Sequence, residues 1–269
     1  MTCMANEQPD LRTETAQNAR VWNYWLGGKD NFTADRLVGD RVYRMYPSIV
    51  QVARADRAFL GRAVRFLAGE RGVRQFLDLG TGLPTADNTH EVAQRVAPAA
   101  RVLYVDNDPL VLRQARTLLT STPEGATDYM EADVRDTEAV LARARRTLEL
   151  NEPVAIMMLG ILNFVLDDGE AQAVVDDLVA AVPSGSYVAI THPTLELGGD
   201  ANTEAMEFFN SNAEPPLRAR TGVQVAAFLH GLELEEPGLV SCSRWRAPKR
   251  RDGVEPPLVA QYGVVARKP

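Results

Sequence analysis

Apolar positions change their spacing along the chain at about residue 74. Beyond it, short apolar segments alternate with segments in which apolar residues recur every three or four positions. Short apolar runs are typical of strands, and the longer spacing is typical of helices. The pattern predicts strands near 74–78, 101–106, 127–131, 153–159 and 185–191, with helices near 86–97, 109–120, 136–149 and 169–182. Strands joined through helices indicate a parallel sheet covered by helices on both faces.

The chain before this region is predicted to be helical, and the chain after it is predicted to end in strands. Three helices are expected at 15–26, 34–46 and 48–68. Two later helices near 203–212 and 222–230 precede closing strands near 234–240 and 257–266. We therefore expect an α/β fold with a doubly wound, mostly parallel, seven-stranded sheet and an N-terminal helical extension. The expected boundaries are a flexible tail at 1–15, a helical extension with a lid at 16–72 and the core at 73–269.

The segment 75–85 combines a predicted strand, a tight turn and the start of a helix. Asp78 lies at the end of the strand, and Gly80 and Gly82 follow it. Such a turn lets backbone N–H groups approach a ligand and places a helix N-terminus beside that ligand. A carboxylate in this position suits a positively charged ligand and would repel a pyrophosphate. The turn therefore favours S-adenosylmethionine over a nucleotide phosphate.

Two further predicted strands also end in acids. Asp106 follows the second strand, close to the ~20-residue offset at which an acid meets a ribose in dinucleotide-binding folds. Asp133 follows the third strand, where it could accept a hydrogen bond from an adenine amino group. Any one such acid could be an ordinary surface carboxylate. Three acids at successive strand ends, beside a glycine turn, indicate a ligand site instead.

These motifs resemble those of class I S-adenosylmethionine-dependent methyltransferases. Asp78, Gly80 and Gly82 match the acid-x-Gly-x-Gly pattern of that class, with Pro84 in place of a third glycine. The segments 18–32, 78–85 and 88–93 resemble more closely one bacterial, mainly actinomycete family. That family was long catalogued as a domain of unknown function and is now filed under methyltransferases, and its members carry the same Gly-Leu-Pro-Thr turn.

The resemblance covers nearly the whole chain, including the segment 243–248 and the last predicted strand. It implies a Rossmann-like methyltransferase fold and S-adenosylmethionine as the cofactor, and it carries no substrate. Together with the strand-end acids, it predicts these cofactor-binding residues: Asp78, Gly80, Gly82, Asp106, Asn107, Asp133, Val134, Gly160, Gly28 and Asn31.

The segment 18–32 is unusual in combining aromatic residues, two glycines and polar side chains. One interpretation is a lid that folds over the cofactor and shapes the acceptor pocket. The other is an ordinary helix end and turn, since glycine commonly follows a helix.

Three residues are candidates for a catalytic role. Asn163 is a polar residue in an apolar run after the fourth strand, where it could hold the acceptor or the cofactor, or could cap a turn. His192 follows the fifth strand and could take a proton from a hydroxyl or an amine. Tyr24, in the lid segment, is the third candidate. No pattern typical of a metal site is present, so no metal is expected.

The composition of the chain limits the classes of partner that it could bind. The net charge is −7 and the pI is about 5.1, which disfavours a nucleic-acid partner. The chain shows no signal peptide and no apolar run that could span a membrane, so we expect a cytoplasmic protein. The prediction is methyl transfer from S-adenosylmethionine to a small-molecule acceptor, in an oligomeric state that the sequence does not indicate. The alternative is a non-catalytic S-adenosylmethionine-binding sensor or regulatory protein, with an NAD-dependent oxidoreductase ranked third.

Overall fold

The N-terminal part of the chain forms the expected helical extension. The computed structural model describes residues 11–84, 86–118, 120–248 and 253–269. Its first elements are β1 (Ala16–Gln17), α1 (Asn18–Trp25), α2 (Thr33–Met45) and α3 (Ile49–Gly69). The three helices lie within three residues of the predicted bounds, whereas the short strand β1 was not predicted.

The core alternates strands and helices, as the apolar pattern predicts. The strands are β2 (Gln75–Leu79), β3 (Arg101–Asp106), β4 (Ala126–Glu131), β5 (Ala155–Leu159) and β6 (Tyr187–Pro193). The helices between them are α4 (Thr89–Val96), α5 (Pro109–Leu118), α6 (Thr137–Thr147) and α7 (Asp168–Ala180). The strands lie in the order β4-β3-β2-β5-β6, all parallel. Because the order reverses direction at β2, the sheet is doubly wound, and this expectation is confirmed.

The C-terminal part closes the sheet with antiparallel strands. It comprises α8 (Gly199–Asn212), β7 (Ala213–Glu214), α9 (Gly222–Ala227), β8 (Glu233–Leu234), β9 (Val240–Ser241) and β10 (Gln261–Arg267). β10 runs antiparallel to β6, from the Gln261–Pro193 pair to the Arg267–Tyr187 pair. β1 and β7 form a separate two-stranded parallel sheet, which joins the N-terminal extension to the C-terminal part.

The strand count corrects the prediction of seven. Among the described residues the main sheet has eight strands, because the segment expected as one strand at 234–240 is divided into β8 and β9. Pro237 and Gly238 lie between them. Proline has no N–H to donate to a strand ladder, and Gly238 has a φ of +81°, so the segment turns and pairs twice with β10.

The two faces of the sheet bury two apolar clusters. Phe76 and Met157 pack on the face covered by α1, α3 and α4, whereas Leu77 and Ile156 pack on the face covered by α6, α7 and α9. Alternate residues of one strand therefore point into opposite layers, as strand geometry requires. No helix in the described part of the chain is long and apolar enough to cross a membrane.

A buried ion pair fixes the helical extension. The side chains of Arg20 in α1 and Asp35 in α2 are almost fully buried and lie 3.2 Å apart. Asp35 also accepts hydrogen bonds from the backbone N–H groups of Gln17 and Phe32, at 2.9 and 2.7 Å.

Arg20 also holds the chain that precedes α1. It donates hydrogen bonds to the carbonyl groups of Leu11, Arg12 and Thr15. Of the predicted tail at 1–15, residues 1–10 lie outside the described residues.

We expect Asp35→Ala to lower the free energy of unfolding by about 3–5 kcal/mol, because it leaves the Arg20 guanidinium buried without its carboxylate. Urea unfolding followed by circular dichroism measures the change. The control is Glu233→Ala, which breaks an exposed pair with Arg267 and should cost about 0–1 kcal/mol. Equal losses in the two variants would contradict a structural role for the buried pair.

Candidate functional site

The parallel strands bring their carboxyl ends to one edge of the sheet, and a cavity of about 650 Å³ lies there. Residues after β2, β3, β4 and β5 line one side of it. Residues of α1, α2, α3 and α8 line the other side, so the helical extension covers the edge of the sheet. Ligands of open α/β sheets bind at such edges, and the volume is in the range of small-molecule sites, roughly 300–1,000 Å³.

The backbone favours glycine at two positions of the turn after β2. Gly80 has a φ of +72°, and a Cβ added to it would lie 2.6 Å from the side chain of Ile161. Gly82 has a φ of +65°, and a Cβ added there would meet no atom within 4 Å. The N–H of Gly82 donates to Asp106 Oδ2 at 2.8 Å, so the turn is fastened to the end of β3.

For two acids beside the turn, desolvation makes the charged form of the carboxyl group unfavourable. Asp78 is 5% exposed, and its burial raises its pKa to about 6, although the hydrogen bond from Thr89 Oγ1 acts to lower it. Desolvation by the surrounding protein also raises the pKa of Asp106 to about 6, although backbone hydrogen bonds from Asp108 and Gly82 act to lower it. The charge of Arg57 lowers the pKa of Asp78, whereas the charge of Asp106 raises it, and the charge of Asp108 raises the pKa of Asp106. A cationic ligand in the cavity would relieve this repulsion.

The third strand-end acid differs from the first two. Asp133 bonds to the guanidinium of Arg135 at 2.6 Å, which holds the pKa of its carboxyl below the usual value. It lines the cavity with Asn107, Val134 and Gly160. Eight of the predicted cofactor-binding residues therefore meet in one cavity.

The remaining two, Gly28 and Asn31, do not line the cavity, but both contact Asn23, which does. Asn23 Oδ1 accepts hydrogen bonds from the Asp30 N–H at 3.1 Å and from Asn31 Nδ2 at 3.0 Å. The loop at 28–31 therefore reaches the cavity through Asn23, a residue that no sequence motif predicts.

The three catalytic candidates are placed differently. Asn163 is 3% exposed and lines the cavity, and its Oδ1 atom has no hydrogen-bond partner. Tyr24 lies outside the lining and donates from its hydroxyl group to Asp40 Oδ1 at 2.6 Å. The structure brings only Asn163 of the three into the cavity.

His192 lies at the expected carboxyl edge of the sheet, but its side chain does not line the cavity and points to the face covered by α9. Its ring packs against Phe228 after α9, and its Nε2 atom is 3.0 Å from the guanidinium of Arg220. Burial lowers its pKa to about 4. The neighbouring Thr191 points to the other face, because side chains alternate along a strand.

Two polar residues at the start of α1, which the sequence motifs do not predict as site residues, also line the cavity. Gln17 Nε2 and Asn18 Oδ1 are buried there without hydrogen-bond partners. Asn18 precedes Val21 and Trp25 at the spacing of one helix face, which is the signal that could have revealed it.

The comparisons with known proteins agree with the geometry. A sequence model of a family described as S-adenosyl methyltransferase matches residues 4–269. The chain is similar to a DUF574 family protein from Streptomyces avermitilis, with 44% identity over 97% of this chain and 100% of that chain and a TM-score of 0.92. It is also similar to a protein from Thermobifida fusca assigned as a methyltransferase, with 40% identity over 97% of each chain and a TM-score of 0.87.

A more distant structure shares the fold alone. An S-adenosylmethionine-dependent methyltransferase from Anabaena variabilis is 15% identical over 89% of this chain and 96% of that chain, with a TM-score of 0.51. No functionally curated protein matches the chain.

The ionised Asp78 should destabilise the ligand-free protein. Because its pKa is about 6 in the folded state and ~3.9 in the unfolded chain, wild type should lose stability as the pH rises from about 4 to about 6. We expect Asp78→Asn to raise the free energy of unfolding by about 2 kcal/mol at pH 7.5 and by less at pH 4.5. Urea unfolding at the two pH values measures both gains.

The control for this prediction is Asp128→Asn, which should have the opposite sign at pH 7.5. Burial acts to raise the pKa of Asp128, but hydrogen bonds from Arg143 and Thr147 hold it below its usual value. Its charge therefore stabilises the fold above the unfolded pKa, and the stabilisation is lost as the pH falls through the lower folded pKa. A wild type as stable as Asp78→Asn at pH 7.5 would contradict the destabilising charge.

Proposed function

Because the chain belongs to the S-adenosyl methyltransferase family, whose cofactor is S-adenosylmethionine, we propose that it methylates a small molecule held in the cavity at the sheet edge. The observation that carries the proposal is the continuity of this cavity. One space of about 650 Å³ extends from the glycine turn and the strand-end acids to the apolar wall of the helical extension. Donor and acceptor can therefore lie side by side within it.

The residues of the first side fit the cofactor. The space beside Gly82 admits a close ligand, and the raised pKa values of the buried Asp78 and the partly buried Asp106 favour a cation. Asp106 can accept hydrogen bonds from ribose hydroxyls, and Asp133 can accept one from an amino group of adenine. Buried amide atoms without partners, such as Asn163 Oδ1, offer further hydrogen bonds. When bound, S-adenosylmethionine supplies a methyl group already activated by the positive sulfur.

The second side of the cavity fits a small, mostly apolar acceptor. It is lined by Trp22, Trp25, Leu26, Val42, Tyr46, Ile49, Val52, Leu60 and Phe209. Among the described lining residues, the acids outnumber the three arginines, Arg12, Arg57 and Arg135. A nucleic acid would need a basic track, so this lining supports a small-molecule acceptor.

The contribution of the protein is mainly positioning and desolvation. The segment 18–32, which we propose covers the bound cofactor, places Trp22 and Asn23 in the wall. Such a wall excludes water and holds two reactants in line, which accounts for much of the rate of transfer reactions. We assign no role in catalysis to His192 or Tyr24, since neither lines the cavity. No observation favours the sensor or the NAD-dependent oxidoreductase.

We expect Asp106→Ala to weaken S-adenosylhomocysteine binding by roughly 10- to 150-fold, because hydrogen bonds to a charged group contribute ~1.5–3 kcal/mol. Isothermal titration calorimetry on the folded variant measures the affinity. Asp176→Ala, at an exposed position on α7, is the control and should bind like wild type. Unchanged affinity in Asp106→Ala would exclude the proposed ribose contact.

We also expect the wild type to convert S-adenosylmethionine to S-adenosylhomocysteine when it is given a low-molecular-weight extract of a host bacterium. Mass spectrometry follows the product, and the folded Asp106→Ala variant is the control with weakened cofactor binding. The high-molecular-weight fraction of the same extract should give no conversion above background. Conversion that depends on that fraction, or tight and salt-sensitive binding of RNA, would overturn the small-molecule proposal.

A further inference from the structure

A buried carboxylate lies in the wall of the cavity without a role in the cofactor site. Asp56 of α3 is 9% exposed and lines the cavity together with Gln261 at the start of β10. Its Oδ1 atom accepts a hydrogen bond from Gln261 Nε2 at 2.9 Å, and the same Nε2 atom lies 3.3 Å from Thr191 Oγ1. Most of its helix neighbours on this side are apolar, among them Val52, Phe59 and Leu60. Burying a carboxylate among apolar neighbours is energetically unfavourable.

The strand register places Asp56 beyond the cofactor residues. Thr191 pairs with Leu159, and the N–H of Gly160 donates to the Thr191 carbonyl group at 3.1 Å. The next strand, β10, carries Gln261. Along the carboxyl edge, the strands β3, β2, β5, β6 and β10 follow one another at a spacing of ~4.8 Å. They carry, in the same order, Asp106, the glycine turn, Gly160, Thr191 and Gln261. Asp56 therefore lies on the far side of Gly160 from Asp106.

The surroundings of Asp56 suit the transfer of a proton. Burial raises the pKa of its carboxyl, against the hydrogen bonds from Thr191 and Gln261 and the charge of Arg57. The guanidinium of Arg57 itself donates hydrogen bonds to the Ala86 carbonyl group and Asn88 Oδ1. An ionised carboxylate has about four lone-pair sites, so the bond from Gln261 leaves capacity for a ligand.

We propose that Asp56 is the base that faces the acceptor, and that the acceptor is an apolar small molecule with one O–H or N–H nucleophile. This inference rests on the proposed function. In the reaction, a lone pair of the acceptor oxygen or nitrogen forms the bond to the methyl carbon. The electron pair of the breaking sulfur–carbon bond stays on sulfur, and the acceptor proton passes to a carboxylate oxygen of Asp56. The wall of Tyr46, Ile49 and Phe209 encloses the apolar body of the acceptor.

The test measures binding of three matched probes to the protein saturated with S-adenosylhomocysteine. 2-Naphthol and 2-naphthylmethanol each carry one uncharged hydroxyl group, whereas 2-methylnaphthalene has no protic group. We expect wild type to bind each protic probe at least ~10-fold more tightly than 2-methylnaphthalene, as measured by fluorescence titration. Asp56→Asn should lose most of this preference, and Asp176→Asn, which removes an exposed carboxylate, should keep it.

Affinity for S-adenosylhomocysteine separates the two proposals. If wild type does not bind it, the proposed function fails. If wild type binds it but shows no preference for the protic probes, or if Asp56→Asn keeps the preference, the role of Asp56 is overturned. Thermal unfolding checks each variant, and Asp56→Ser replaces Asp56→Asn if the latter does not fold. The variant should bind S-adenosylhomocysteine like wild type, because Asp56 lies outside the cofactor residues.

Discussion

The cavity depends on the buried ion pair between Arg20 and Asp35, because this pair fixes α1 against α2 above the open edge of the sheet. A parallel sheet exposes its carboxyl edge, and any ligand bound there would remain in contact with water. The helices that cover the edge carry most of the apolar lining. The pair also gathers the backbone of residues 11–17 through hydrogen bonds to both of its members. One charged contact thereby supports the wall, the entry of the chain into α1 and the loop before α2.

The site itself is built from groups that are unfavourable without a ligand. Asp78 and Asp106 remain close to one another in a cavity that raises the pKa of each carboxyl. Three amide side chains leave polar atoms buried without partners in the same lining, namely Gln17, Asn18 and Asn163. Such groups lower the stability of the ligand-free fold, and a cation with several hydrogen-bonding groups would satisfy them. Their coexistence in one cavity is better explained by binding than by folding.

Local patterns predict the fold and eight of the residues that line the cavity. The strand ends with Asp78 and Asp106 and the glycine turn are each encoded within a few consecutive residues, and the structure places them as expected. The errors arise where a local pattern does not determine the outcome. The sequence places His192 at the correct edge of the sheet, but the alternation of side chains along β6 turns it to the face opposite Thr191. The strand expected at 234–240 contained Pro237, whose missing N–H divides it.

The proposed acceptor side of the cavity depends on contacts between residues far apart in sequence, which local sequence patterns do not reveal. Asp56 and Gln261 are separated by 205 positions and meet only because β10 inserts beside β6 while α3 packs over them. Neither residue lies in a recognisable motif. The glycine turn and the strand-end acids of this chain are therefore encoded locally, whereas the wall proposed to hold the acceptor is assembled from side chains of different helices. The same division explains how membership of the family establishes the methyl donor while the identity of the acceptor must be argued from the cavity.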